Sequence, residues 1–412
     1  MSERTVVIVG AGFAGLSAAE TLRAEGFEGR VILVGDEVHP PYSRPPLSKG
    51  VLRGETPPEA TAFHAASWYD DNAVDLVLGS RATVLRPAER RLDLADGRSL
   101  PYDRLLLATG GRARTLDVPG ADLPGVHTLR TLDDALTIRE RLSPDVPVVV
   151  VGAGFIGAEV AASARTLGCE VTLLEIADLP LGRVLGPEVG RVYAAMHRDH
   201  GVDLRCGVGV ERIAGDDQVR QVVATDGSVH EAAVVVVGVG MTPETDVGRT
   251  ASATAGNGIV VDDRCRTSVP DVYAAGDVAL HPNPVLGVTL RVEQWQNAQH
   301  QAQAAARNML GRDVPFAEVP WFWSDQYDVN LQMAGLPGPD DTAVFRGDVD
   351  ALDFSVFYLR DGAVRGVAGV NRALDVRAGR RLIAGGAVVT AGELADESCD
   401  LRGLTGARAG AR

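Results

Sequence analysis

Through most of this chain apolar residues come as short unbroken runs that end in glycine, the pattern of strands buried on both faces of a parallel sheet. The run Thr5–Val9 leads into Gly10-Ala11-Gly12-Phe13-Ala14-Gly15 and then into helix-like residues 16–24. Residues 148–151 lead in the same way into Gly152-Ala153-Gly154-Phe155-Ile156-Gly157 and a second helix-like stretch, 158–167. In a strand–turn–helix of this kind the first glycine makes the bend, the second lets backbone amides approach a pyrophosphate, and the third lets helix and strand pack closely. The helix N-terminus adds positive dipole for the phosphates. Each copy also has an acid about 20 residues on, where a ribose hydroxyl needs an acceptor. These are Asp36 or Glu37 after residues 30–35, and Glu175 after residues 170–174. One such pattern is weak evidence, since a plain tight turn has the same sequence. Two complete copies imply two bound dinucleotides.

The breaks between runs divide the chain. Pro40-Pro41-Tyr42-Ser43-Arg44-Pro45-Pro46-Leu47-Ser48-Lys49 is too rich in proline for the interior of a strand or helix. The first β-α-β unit returns from it through residues 74–78 and 91–94 to a buried strand at 105–108, where Thr109-Gly110-Gly111 suits a crossover between domains. The second unit continues through strands at 202–205, 221–224 and 233–237 until Gly238-Val239-Gly240-Met241-Thr242-Pro243 breaks the pattern. Strands at 258–261 and 271–275 follow, the latter ending in Gly276-Asp277, whose carboxylate is placed to reach a ligand hydroxyl or to cap a helix. Residues 294–310 read as a long amphipathic helix. From Pro320 the pattern changes to Trp321-Phe322-Trp323-Ser324-Asp325-Gln326 and alternating strands near 353–359 and 363–371, while the tail after Gly403 reads as disordered. The expected fold is α/β, with two Rossmann-like dinucleotide-binding domains and a C-terminal α+β domain. Residues 1–111 and 244–319 form the first, residues 112–243 the inserted second, and residues 320–412 the third.

Composition narrows the function. A length of 412 residues favours several domains over one core. The net charge of −15 argues against nonspecific nucleic-acid binding, which needs a basic surface. No apolar run reaches the length of a membrane span, and residues 1–4 lead straight into a strand, so a cytoplasmic location is expected. Cys169, Cys206, Cys265 and Cys399 lie too far apart for Cys-x-x-Cys redox or zinc spacing, and no metal site is expected. Among 40 Lys plus Arg there is a single lysine, Lys49. Arg is planar and multidentate and Lys a compact point charge, so Lys49 marks either a site that Arg does not fit or the place where a rare residue happens to fall.

In this order the motifs resemble those of the pyridine-nucleotide-linked flavoprotein reductases, which carry an FAD unit with an inserted NAD unit. They most resemble the bacterial ferredoxin reductases that serve haem-thiolate monooxygenases and ring-hydroxylating dioxygenases. Besides the two glycine turns, the likeness rests on Arg44-Pro45-Pro46-Leu47-Ser48-Lys49, Leu107-Ala108-Thr109-Gly110, Arg130-Thr131-Leu132, Tyr273-Ala274-Ala275-Gly276-Asp277 and Pro320-Trp321-Phe322-Trp323-Ser324-Asp325-Gln326. The resemblance implies that Gly10, Gly12, Ala14 and Gly15 lie on the FAD pyrophosphate and Asp36 on its ribose. It puts Ala82 at the adenine end, Arg44 among the cofactor contacts, Arg130 facing the cofactor and Lys49 beside the isoalloxazine. Asp277 binds the ribityl or pyrophosphate portion in this reading, and Trp295 lines the flavin. Gly152, Gly154, Ile156, Gly157 and Gly240 are implied for NADH. Glu175 accepts from the ribose 2′-OH and repels the 2′-phosphate of NADPH. Glu159 is implied near the nicotinamide, paired with Lys49, although a solvated Glu in a first helical turn has the same local sequence.

The implied mechanism passes a hydride from NADH to FAD by proximity and orientation, and then electrons singly to a [2Fe–2S] ferredoxin that feeds a monooxygenase or dioxygenase. Lys49 and Glu159 serve the first half. Trp323, two residues from Trp321 on one strand face, serves the exit, with core packing the alternative. The missing Cys-x-x-x-x-Cys excludes the disulfide-reductase branch. Arg360, Arg365, Arg372, Arg377, Arg380 and Arg381 form either a partner surface or an ordinary solvated one. Other readings are a rubredoxin reductase or NADH oxidase on the same scaffold, and a redox-responsive interaction protein resembling apoptosis-inducing-factor flavoproteins.

Overall fold

The computed structural model describes residues 4–405; of the tail read as disordered, residues 404 and 405 lie instead in the 3₁₀ turn Gly403–Thr405, and the rest, from residue 406, lies outside the described residues. The chain forms two compact units. The first comprises the chain up to Ser43, Ala62–Arg112 and Thr242–Phe322; the second comprises Arg44–Thr61, Ala113–Met241 and the chain from Trp323.

In the first unit five parallel strands run in the order Val272–Ala274, Arg104–Leu107, Thr5–Val9, Arg30–Val34, Val74–Val77. The first strand in sequence stands in the middle, and the strand order reverses beside it, which is where doubly wound sheets bind ligands. Val6 to Val9 and Val31 to Val34 are buried on both faces, as unbroken apolar runs require. The helix Phe13–Ala24 covers one face and packs on the helix Trp295–Met309 through small residues, among them Ala14, Ala18, Ala302 and Ala305.

The second unit repeats the arrangement. Its parallel sheet has the order Asp203–Cys206, Glu170–Glu175, Pro147–Val151, Val234–Val237, Val126–Thr128, again with the fingerprint strand central. Each unit also has a three-stranded antiparallel sheet: Ala82–Arg86, Arg91–Leu94 and Ser99–Pro101 in the first, Val210–Gly215, Val219–Ala224 and Val229–Glu231 in the second. Residues 221–224, read from sequence as a strand of the second β-α-β unit, therefore belong to the antiparallel sheet. A short apolar run looks the same in either setting.

The proline-rich segment is a 3₁₀ turn, Pro45–Ser48, followed by the short helix Gly50–Arg53. Proline is tolerated there because it sits in the first turn, where its missing N–H costs nothing. Leu52 anchors the segment among Ile138, Val160 and Ala164 of the second unit. The C-terminal part is an antiparallel sheet in the order Trp321–Gln326, Val329–Gly335, Ala363–Val370, Asp353–Arg360, Thr342–Asp348, with the helix Ala373–Ala384 packed against it. Arg360 pairs with Asp341, and Arg372 pairs with Asp353 and Glu397, so two of the six arginines noted in the sequence serve local ion pairs.

The glycines of the second fingerprint differ in what a side chain would meet. A Cβ on Gly157 would stand 1.9 Å from the Gly152 carbonyl oxygen, whereas one on Gly154 would meet nothing within 4 Å. Gly157→Ala is therefore expected to cost about 1–3 kcal/mol of stability, and Gly154→Ala to leave the unliganded protein's melting temperature unchanged. Parallel thermal unfolding of the two variants checks the contrast.

Candidate functional sites

In the first unit the turn Gly10–Gly15 joins the strand Thr5–Val9 to the helix Phe13–Ala24. Gly10 has φ 113° and a Cβ there would lie 2.1 Å from the Ala108 carbonyl oxygen, so only glycine permits the bend. A Cβ on Gly15 would meet the Gly10 carbonyl at 1.9 Å. Gly12 is different: nothing within 4 Å would oppose a side chain. It is also the N-cap of the helix Phe13–Ala24, with no side-chain cap and no acid in the first turn. Amides at that end are left for an external acceptor.

Of the other predicted residues of this unit, the fold brings Asp277 and Trp295 to the same turn. Gly276, at φ 80°, lies so close to Ala14 that its Cβ would be 3.0 Å from the alanine methyl, which sets Asp277 beside the fingerprint. Its amide is held by Gln301 Oε1 at 2.9 Å. Trp295 opens its helix stacked on Phe13 at 4.2 Å, and Phe13 stacks on Phe63 at 4.6 Å. Asp36 is exposed just beyond the strand Arg30–Val34, while the neighbouring Glu37 accepts from Tyr42 Oη at 2.5 Å. Ala82 starts its strand two residues after Ser80, whose amide donates to the Gly35 carbonyl at 3.0 Å. Among the described residues the buried oxygens Gln294 Oε1 and Gln296 Oε1, at the start of the Trp295–Met309 helix, find no hydrogen-bond partner. An open glycine position, an uncapped helix start and waiting polar atoms fit a dinucleotide with a polar tricyclic ring.

The second unit contains the same cradle. Gly152 has φ 96°, Gly154 caps the helix Phe155–Thr166 without a side-chain bond, and Gly157 touches the turn. A Cβ on Gly152 would lie 2.6 Å from the Gly238 carbonyl, so Gly240, two residues further, stands at the same turn. Ile156 is 45% exposed at the helix start. Glu175 is buried, and its oxygens accept from the Ala153 amide at 2.6 Å and the Ala177 amide at 2.8 Å. Each carboxylate oxygen has a second lone pair, so the residue can brace the turn and still accept from a ribose hydroxyl. The register differs in the first unit: Gly10 donates to Val34 as Gly152 donates to Leu174, so Gly35 stands where Glu175 does and the acid comes one residue later.

Lys49 and Glu159, predicted from distant stretches of sequence, meet in this unit. Lys49 Nζ donates to Glu159 Oε2 at 2.6 Å, and Glu159 is 3% exposed. The Ser48 hydroxyl donates to the same oxygen at 2.5 Å and the Ser324 hydroxyl to Oε1 at 2.7 Å. Ser48 and Ser324 had no part in the sequence reading. Each lies inside a sequence motif, residues 44–49 or 320–326, and Ser324 shares a strand face with Gln326, but hydroxyls are too common for sequence to single out. Arg44 donates to the Arg130 carbonyl at 2.5 Å, and Arg130 leads into the helix Leu132–Arg139, which Thr131 and Asp134 close with a capping box. Trp323 lies on the strand Trp321–Gln326, on the face opposite Ser324.

Among the described residues no three His, Cys, Asp or Glu side chains are grouped to hold a metal, and the four cysteines are unpaired thiols. Cys169 and Cys265 are buried, and burial raises both thiols. No described helix is long and apolar enough to cross a membrane.

Residues 4–302 match the family model of the pyridine nucleotide-disulphide oxidoreductases, and residues 321–405 match the reductase C-terminal domain. The chain is 41% identical to rhodocoxin reductase of Rhodococcus erythropolis, over 97% of this chain and 93% of that one. It is 42% identical to the anthranilate 1,2-dioxygenase system ferredoxin–NAD(+) reductase component of Burkholderia cepacia, over 98% and 99% of the two chains. It superposes on the reductase of a covalent putidaredoxin reductase–putidaredoxin complex with a TM-score of 0.93 and 38% identity, covering 97% of this chain and 98% of that one. This chain belongs to the pyridine nucleotide-disulphide oxidoreductase family, in the group of flavoprotein reductases that end in a reductase C-terminal domain and include the ferredoxin–NAD(+) reductases.

Proposed function

We propose that this oxidoreductase binds FAD in its first unit and NADH in its second, and transfers electrons from NADH to a [2Fe–2S] ferredoxin that supplies a monooxygenase or dioxygenase. A cytoplasmic location belongs to the same proposal. The observation that carries it is the middle glycine of each turn. Gly12 and Gly154 are free of every contact that would forbid a side chain, yet each caps a helix that has no other cap. A pyrophosphate against those amides is the group that accounts for both absences.

FAD, when bound, supplies the hydride-accepting ring and the means to release electrons one at a time. The chain's own part is to bind, orient and polarise. Gly10, Gly12, Ala14, Gly15, Asp36, Ala82, Asp277 and Trp295 are assigned to FAD, together with Arg44 and Arg130. Gly152, Gly154, Ile156, Gly157, Glu175 and Gly240 are assigned to NADH. Lys49 is the cation for the flavin ring, and Glu159 holds it in place. A point charge held at 2.6 Å by a buried carboxylate is preorganised for negative charge that develops nearby. The four separate thiols offer no dithiol to receive electrons, which favours an outgoing one-electron path, and Trp323 is assigned to it.

Purified FAD-loaded protein is expected to reduce cytochrome c with NADH only when a [2Fe–2S] ferredoxin is added, and to do so poorly with NADPH. Failure of several such ferredoxins to stimulate the reaction would favour the oxidase reading. Glu175→Gln should narrow the preference for NADH over NADPH by about tenfold or more, chiefly in KM, because the charge that repels a 2′-phosphate is lost. Steady-state kinetics with both nucleotides checks this. Trp323→Ala should leave FAD reduction by NADH intact and slow ferredoxin reduction; stopped-flow measurement of the two half-reactions separates them.

A further inference from the structure

Glu159 is also the end point of a buried polar chain that the reading above does not use. Gln326 follows Ser324 by two residues on one strand, so both side chains leave the same face. Gln326 Nε2 donates to Ser324 Oγ at 3.3 Å, and its Oε1 faces His197 Nε2 at 2.9 Å. On the far side the Tyr327 hydroxyl meets His197 Nδ1 at 3.3 Å. Ser324, Gln326 and His197 are 0%, 1% and 0% exposed.

Gln326 and the burial of His197 together assign the protons. With its amide nitrogen on Ser324, Gln326 presents oxygen to His197, so His197 donates from Nε2, and a neutral ring then accepts at Nδ1. Burial holds the imidazole neutral, lowering it to about 4. Each donor in the series Tyr327, His197, Gln326, Ser324 points toward the next, and the last points at Glu159 Oε1. Hydrogen bonds aligned this way polarise one another. The remaining soft degree of freedom at Glu159 is rotation of its carboxylate, a broad two-fold torsion. Lys49 and Ser48 both bind Oε2, so fixing the plane of the carboxylate requires a partner on Oε1. Ser324 supplies that partner.

We propose that Ser324 is a positioning residue for hydride transfer: backed by Gln326 and His197, its hydroxyl locks the Glu159 carboxylate and thereby the Lys49 ammonium. The proposal rests on the assignment of Lys49 and Glu159 to the FAD and NADH site. It gives the C-terminal domain a role in the first half-reaction, through the strand face opposite Trp323.

The test uses full-length FAD-loaded protein. In Ser324→Ala, single-turnover FAD reduction by NADH is expected to slow about tenfold, the loss expected for a hydrogen bond to a charged group, with NADH Kd unchanged. Ser324→Thr, which keeps the hydroxyl, restores most of the rate. Because Lys49 is the sole lysine, lysine labelled with 13C at Cε gives one side-chain resonance. That resonance shifts in Ser324→Ala and returns in Ser324→Thr, with or without NADH. Gln326→Met, which removes the support of Ser324, shifts it in the same direction and decides the matter if Ser324→Ala is not recovered folded. A wild-type rate in these variants, or a slower rate with an unmoved lysine resonance, overturns the positioning role while leaving the functional reading intact. A wild-type protein that NADH does not reduce overturns both.

Discussion

The steric contact between a strand-ending turn and the helix that follows it governs both nucleotide units. Where the helix passes the turn, the Cβ position of Gly15 or Gly157 falls 1.9 Å from a carbonyl oxygen of Gly10 or Gly152. Only a residue without a side chain permits that approach. The approach in turn puts the first helical amides over the end of the central strand, at the point where the strand order reverses. The middle glycines obey a different constraint. Among the described residues no contact requires them, which is why they speak for a ligand rather than for the fold.

A buried charge organises the second unit in a comparable way. A carboxylate 3% exposed must have its lone pairs occupied by good donors, because an uncompensated charge in the interior is strongly destabilising. Glu159 draws its donors from Ser48 and Lys49, which follow the proline-rich stretch, and from Ser324 in the C-terminal sheet. Two separate stretches of chain are thus tied to one side chain on a third. Lysine suits the position better than arginine: a single ammonium shares one oxygen with a hydroxyl, and the guanidinium fork is made to engage two.

The two faces of the strand Trp321–Gln326 carry different parts of this motif. Ser324 and Gln326 are buried on one face, after the partly accessible Phe322, and Trp321, Trp323 and Asp325 lie on the other, partly accessible. The same strand therefore presents Ser324 and Gln326 to the Glu159 network and both tryptophans to the opposite side.

The sequence by itself determined the sheet type, both glycine turns, the acids that follow them and the lone lysine, because these depend on local spacing and on residue types whose backbone or charge has few alternatives. Family resemblance extended this to the pairing of Lys49 with Glu159. The tertiary structure alone decided that residues 221–224 turn away from the parallel sheet, that the acid of the first unit sits one residue beyond the register of Glu175, and that Ser48 and Ser324 complete the Glu159 site. The physical reason is common to all three. Strand partnership and hydroxyl donation depend on which segments meet in space, and residues more than a hundred positions apart leave no periodicity between them to read.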